Sequence, residues 1–163
     1  MSQGGLPLQM EELSPIMERV VCDITQRVGR LELSPAQQAS SEGHGPRCAL
    51  QTTLDGAYRS RLVLAGDYAF FSHLAENMMG GPPAPEDVED YALEYFNMLC
   101  GHVVAEIFRE TQAAAKFHCP IFCREGGTEP ASPAENSACF HSPFGALELR
   151  YEPILPVMAG NHK

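Results

Sequence analysis

The sequence predicts an α+β domain, and three observations carry that prediction. Ile16, Val20 and Ile24 recur at a spacing of four, the mark of an amphipathic helix. Asp55-Gly56 divides two runs of mixed apolar and polar residues, a hairpin signal, because a two-residue turn of the favoured hand needs positive φ. A long helical pattern then runs from Pro85 to Thr111 before the chain returns to strand-like segments. Helix and strand signals come in separate runs instead of alternating, which selects α+β.

The elements follow in order. "LSPIMERVVCDITQRVG" (13–29) is the opening helix, with Ser14 as N-cap, Pro15 at the first helical position and Gly29 after the end. Val21 and Val28 widen its apolar stripe. "SPAQQASSEGHGPR" (34–47) reads as a loop. "CALQTTLDGAYRSRLVLAG" is the first hairpin. "GDYAFFSHLAENMMGG" is a second helix, capped by Asp67 and stopped by Gly80-Gly81. "PPAPED" connects it to the third helix. "AKFHCPIFCREG" reads as a strand whose internal Pro120 demotes it to an edge or a bulge. "GGTEPASPAEN" is a loop, "ACFHSPFGALELRYE" a second hairpin turning near Pro143 to Gly145, and "PILPVMAGNHK" a tail. Residues 1–12 are thus an N-terminal segment, 13–152 a single domain and 153–163 a C-terminal tail. The order suggests two similar halves, each a helix feeding strands.

Composition narrows the function classes. The chain has 163 residues, 44% of them hydrophobic, and a formal net charge of −10. One domain of this length can bury a sizeable core. Its positive charges are scattered, so neither nucleic acid nor an anionic membrane is an expected partner. No stretch approaches the roughly 20 apolar residues that span a bilayer, and the N-terminus lacks the pattern of a secretory signal. A cytoplasmic location is the expectation. The six cysteines then read as reduced thiols, partly buried.

The third helix carries the candidate site. At about 100° per residue, Val88, Ala92, Tyr95, Leu99 and Val103 share one stripe, with Phe96 at its margin. Asp90, Glu94, Asn97 and Gly101 fall on the opposite face. Glu94 and Asn97 are one turn apart and can act on the same object. Gly101 costs roughly 1 kcal/mol relative to Ala in mid-helix, and its missing side chain permits close approach. A solvated polar face and a docking face both fit this pattern. His102 follows Gly101 and can line such a face.

Two rival constellations are weaker. Cys119, Cys123, Cys139 and His141 have a spacing that zinc can use. On a strand, however, residues four apart lie about 13 Å from each other, so one ion takes both Cys119 and Cys123 only if Pro120 bends the chain. No cysteine opens a Cys-x5-Arg phosphate loop.

Glu94-x-x-Asn97-x-x-x-Gly101 sits on a helix preceded by "HLAENMMGG" and followed by "FHCPIFC". In this setting it resembles the CheC/CheX family of chemotaxis phosphatases. The resemblance runs from about residue 13 to 151 and includes "LSPIMERVV" and "YRSRLVLAG". It implies the CheC-like fold, with long helices packed on a mostly antiparallel sheet. The opening helix has Glu18 but Val21 where a second motif would need Asn, so the single site looks CheX-like. One departure is the pair of bulky residues, Tyr95 and Phe96, inside the motif.

The implied function is hydrolysis of the aspartyl phosphate on a response-regulator receiver domain of the CheY type. Asn97 would hold the attacking water and Glu94 would pair with a receiver lysine. Asp90, Gly101 and His102 would contact the partner. The resemblance implies no cofactor or metal of the chain's own, with Mg²⁺ held by the receiver. It also implies a homodimer, for which "ALELRYE" near a sheet edge is a candidate pairing strand. The alternative is a non-catalytic receiver-binding or dimerisation module of the same fold.

Overall fold

The computed structural model describes residues 10–36, 45–56, 59–124 and 137–153. Its elements are α1 (Met10–Gly29), β1 (Ser34–Ala36), β2 (Arg47–Gly56), β3 (Ser60–Asp67), α2 (Tyr68–Met79), α3 (Pro85–Thr111), β4 (Ala115–Phe117), β5 (Ile121–Arg124), β6 (Ser137–Ser142) and β7 (Gly145–Pro153). The strands form one sheet in the order β1-β6-β7-β3-β2-β4, with β5 also paired to β2. Every described pairing is antiparallel.

The two expected halves are visible in this order. α1 belongs with the β2–β3 hairpin, and α3 with the β6–β7 hairpin. The halves join where β3 runs against β7, with Leu64 opposite Leu149. The strand after α1 pairs with β6 of the other half. The strands after α3 pair with β2 of the first half. Each half therefore lends an edge strand to the other.

The strands alternate as a sheet with one core face should. Leu50, Leu54, Leu62, Leu64, Leu147, Leu149 and Tyr151 are buried on that face. Against them pack Val20, Val21 and Ile24 of α1, Phe70, Phe71 and Leu74 of α2, and Tyr95, Phe96, Leu99, Val103 and Ile107 of α3. α1 and α3 run antiparallel, since Arg19 pairs with Glu106 at 2.9 Å and Thr25 with Tyr95 at 2.6 Å. Among the described residues, no helix is long and apolar enough to cross a membrane.

Several local expectations are corrected. α1 begins at Met10, not after Ser14, and holds Pro15 inside it. Proline there forfeits one amide bond, to the carbonyl of residue 11. Ser14 is no cap; it accepts a hydrogen bond from the Tyr151 hydroxyl at 2.8 Å. The chain leaves α1 through Arg30 at φ 55°, so the left-handed residue is not Gly29.

Ser34–Ala36, read as loop, is a short edge strand on β6. Pro35 fits there because an edge strand leaves one side of its backbone unpaired. Residues 37–44 of that expected loop, all of "GGTEPASPAEN" and nearly all of the tail lie outside the described residues, and Arg47, also read as loop, begins β2.

Asp55-Gly56 is not a two-residue turn. Leu54 pairs with Ser60, and both Asp55 and Gly56 pair with β4. Gly56 has φ 105°, and a Cβ on it would lie 2.6 Å from the Ala114 carbonyl oxygen. Asp67 occupies the N-cap position of α2 but makes no side-chain cap bond. It is buried, accepts the Ala146 N–H at 3.0 Å and faces Arg47 at 3.4 Å.

Pro120 splits its expected strand into β4 and β5. Residues 118–120 bulge between Phe117, opposite Leu54, and Ile121, opposite Gln51. The Thr52 hydroxyl donates to the His118 carbonyl across this bulge at 2.6 Å. The β6–β7 turn falls at Pro143-Phe144, as expected, with Ser142 opposite Gly145. "ALELRYE" is not near an edge. It forms β7, paired on one side with β6 and on the other with β3, so it cannot pair across a two-fold axis.

Candidate functional site

The candidate site is built on α3, at 27 residues the longest described helix. Pro85 opens it, and the Asp87 carboxylate accepts the Ala84 N–H at 2.9 Å. Glu86 and Asp87 lie in the first turn, where the helix dipole favours negative charge. Gly80, at φ 81°, ends α2 just before it. That stop and this start set the direction of α3 across the sheet.

One face of α3 is locked. Val88, Ala92, Tyr95, Phe96, Leu99, Cys100, Val103 and Ile107 are buried. Phe96 is not at the margin of this face; it is fully buried. Tyr95 is tied to α1 through its hydroxyl and the Thr25 hydroxyl. Burial pushes the Tyr95 phenol and the Cys100 thiol well above their ordinary ranges, so neither ionises near neutrality. The bulky residues inside the motif therefore face the core and leave the opposite face clear.

That opposite face brings together Asp90, Glu94 and Asn97, all exposed, with Gly101 half-buried beyond them. A Cβ on Gly101 would have no neighbour within 4 Å. Packing within the protein thus gives no reason for glycine at this position. His102 is exposed on the flank of the stripe, and its Nδ1 lies 3.1 Å from the Met98 carbonyl oxygen, to which it donates. The stripe continues past the motif through exposed Ala105 to Phe108, which is 50% exposed. Phe108 was not among the residues the sequence pointed to, although the seven-residue step from Glu94 to Gly101, repeated once, reaches it.

α1 offers no second site. Glu18 is exposed, but Val21 is fully buried. The cysteines do not converge either. Cys123 is on β5 and Cys139 on β6, four strand spacings apart, or about 19 Å. Among the described residues, no three His, Cys, Asp or Glu side chains are grouped to hold a metal ion.

The fold and this outward stripe define the class: a CheC-like α+β protein with one Glu/Asn face. The family model for chemotaxis phosphatase CheX matches residues 49–145, more than half the chain and all of α3. The chain belongs to that family. Solved structures of similar fold include the chemotaxis protein CheX from Vibrio vulnificus, with TM-score 0.72 and 20% identity over 89% of this chain and 98% of that one. The chemotaxis protein CheX from Desulfovibrio desulfuricans gives TM-score 0.72 and 13% identity over 88% and 99% of the two chains. A third is the CheX–CheY–BeF3–Mg²⁺ complex from Borrelia burgdorferi, with TM-score 0.66 and 12% identity over 83% and 94%. No curated protein sequence matches significantly.

Proposed function

We propose that this protein hydrolyses the aspartyl phosphate of a CheY-like receiver domain, with Glu94 and Asn97 as the working side chains. Membership of the chemotaxis phosphatase family supports the activity class. The Borrelia burgdorferi relative of like fold, in complex with CheY, BeF3 and Mg²⁺, supports the partner. The observation that carries the site is the exposed Glu94–Asn97 pair beside Gly101, whose missing side chain no internal packing requires.

The acyl phosphate is already labile, so catalysis is mainly positioning. The Asn97 amide accepts and donates hydrogen bonds without taking charge. It holds one water in line with the phosphorus–oxygen bond to the aspartate. The water oxygen bonds to phosphorus, the receiver carboxylate leaves, and inorganic phosphate is released. Glu94 forms a charge-assisted pair with a receiver lysine and fixes the docking register. Asp90 and His102 contact the partner at the ends and flank of the stripe. Mg²⁺ belongs to the receiver, where it neutralises charge on the phosphoryl oxygens.

The protein acts in the cytoplasm, where phosphorylated receivers are. It works as a homodimer through a surface other than β7, and light scattering should give twice the 17.8 kDa of one chain. The decisive experiment is phosphate release from an acetyl-phosphate-loaded CheY-like receiver, with and without this protein. Faster release is expected. Binding without faster release would instead establish the non-catalytic module.

A further inference from the structure

We propose that the receiver-docking face extends two turns beyond the motif, with Phe108 as its apolar anchor. This inference rests on the receiver-binding reading above and names a residue that decides affinity. Glu94, Gly101 and Phe108 follow one another at seven-residue steps. Seven residues turn a helix through nearly two full turns, so the three lie almost in line. Gly101 is the midpoint, about 10 Å from each of the others along the axis.

The surface between Asn97 and Phe108 is nearly bare. Along its midline the stripe presents Gly101 and Ala105, edged by the half-buried side chains of Met98 and Val104. A partner backbone can approach there, and Phe108 stands up at the far end. Phe108 and Ile121 are the exposed large hydrophobic residues among those described. Phe108 lies on the same helical stripe as the motif.

A standard interface buries about 800 Å² per partner, a disc of about 16 Å radius. Centred on Gly101, such a disc holds both Glu94 and Phe108. Centred on Asn97, it would leave Phe108 at its rim. The charged anchor, the bare backbone and the aromatic anchor thus form one continuous footprint, of a size that suits a single receiver domain. Aromatic side chains that bury fully on binding are the usual carriers of affinity.

The test uses a CheY-like receiver domain, loaded with BeF3 and Mg²⁺ for binding and with acetyl phosphate for turnover. Phe108→Ala should weaken binding about tenfold and raise KM correspondingly, with kcat falling far less. Phe108→Leu should recover most of the affinity, and Phe108→Asp should lose more than Ala. Circular dichroism and a melting curve report whether each variant folds. If the parent binds and Phe108→Ala binds equally well, Phe108 is discarded while Glu94 and Asn97 stand. If Phe108→Ala instead converts a dimer to monomer with unchanged receiver affinity, the residue contacts a second copy and the proposal falls. If the parent binds no phosphorylated receiver at all, the receiver-binding reading falls and takes this inference with it.

Discussion

Glu94, Tyr95, Phe96 and Asn97 are consecutive residues with two destinations. The outer two are exposed, and the inner two are fully buried. Substitutions should therefore separate cleanly. Asn97→Ala should remove most of the hydrolytic stimulation but leave binding to a BeF3-loaded receiver, because the amide acts only as the reaction proceeds. Glu94→Lys should weaken binding by a few kcal/mol, since it replaces a charge-assisted pair with repulsion. Neither should shift stability by more than about 0.5 kcal/mol. Tyr95→Phe should do the reverse. It leaves the buried Thr25 hydroxyl without its partner, at about 1–3 kcal/mol, and leaves receiver affinity unchanged in the folded protein. Paired measurements of phosphate release, affinity and denaturant midpoint decide this. Full hydrolysis by Asn97→Ala would remove that residue from the site. The two faces were legible because a helical period sustained over 27 residues averages out single exceptions. The Thr25–Tyr95 bond was not, because its partners are 70 residues apart and nothing local marks them.

At the scale of elements, short signals failed wherever a distant strand claimed the same backbone. Asp-Gly reads as a tight hairpin turn, but β4 pairs with both residues. Gly56 is glycine for two reasons that no local window contains: φ 105° and the approach of the Ala114 carbonyl. Gly56→Ala must either abandon that conformation or push β4 away. Strained backbone of this kind costs about 1–3 kcal/mol, and each kcal/mol lowers Tm by about 2–4 °C in a chain of this size. A melting curve should show that loss, and receiver affinity well below Tm should be normal, since β4 is not part of the docking stripe. An unchanged Tm would mean that the β2–β4 register is not as described. Pro15 and Pro120 teach the same lesson in opposite directions. Pro15 does not start a helix because the turn before it is helical anyway. Pro120 does interrupt its strand, and β2 accepts both resulting pieces.

Strand order is a property of the whole molecule, and it is the feature that local reading missed. β7 is the last described strand in the chain, yet it is central, because the halves meet at β3 and β7 and exchange their edge strands. Charge distribution is also a whole-molecule property, and it was plain in the sequence. Within α3 the negative charge is concentrated before Gly101. Glu86, Asp87, Glu89, Asp90 and Glu94 precede Gly101 on this helix, with no Lys or Arg between Pro85 and Gly101. The receiver's phosphoryl group is itself negative, so attraction to this face must come from the lysine and Mg²⁺ beside it. Such attraction acts over a distance set by ionic strength, about 30 Å at 0.01 M salt and 8 Å at 0.15 M. Raising NaCl from about 0.02 to 0.3 M should therefore slow association with the BeF3-loaded receiver roughly tenfold, while dissociation changes much less. Replacing Glu86 and Glu89 by their amides should flatten that dependence and leave kcat near the parent value, because neither is among the proposed contact residues and only Asn97 acts on the attacking water. Stopped-flow association rates measure it directly. Association that quickens with salt would mean the two faces repel, and Glu94 would then lose its proposed lysine partner.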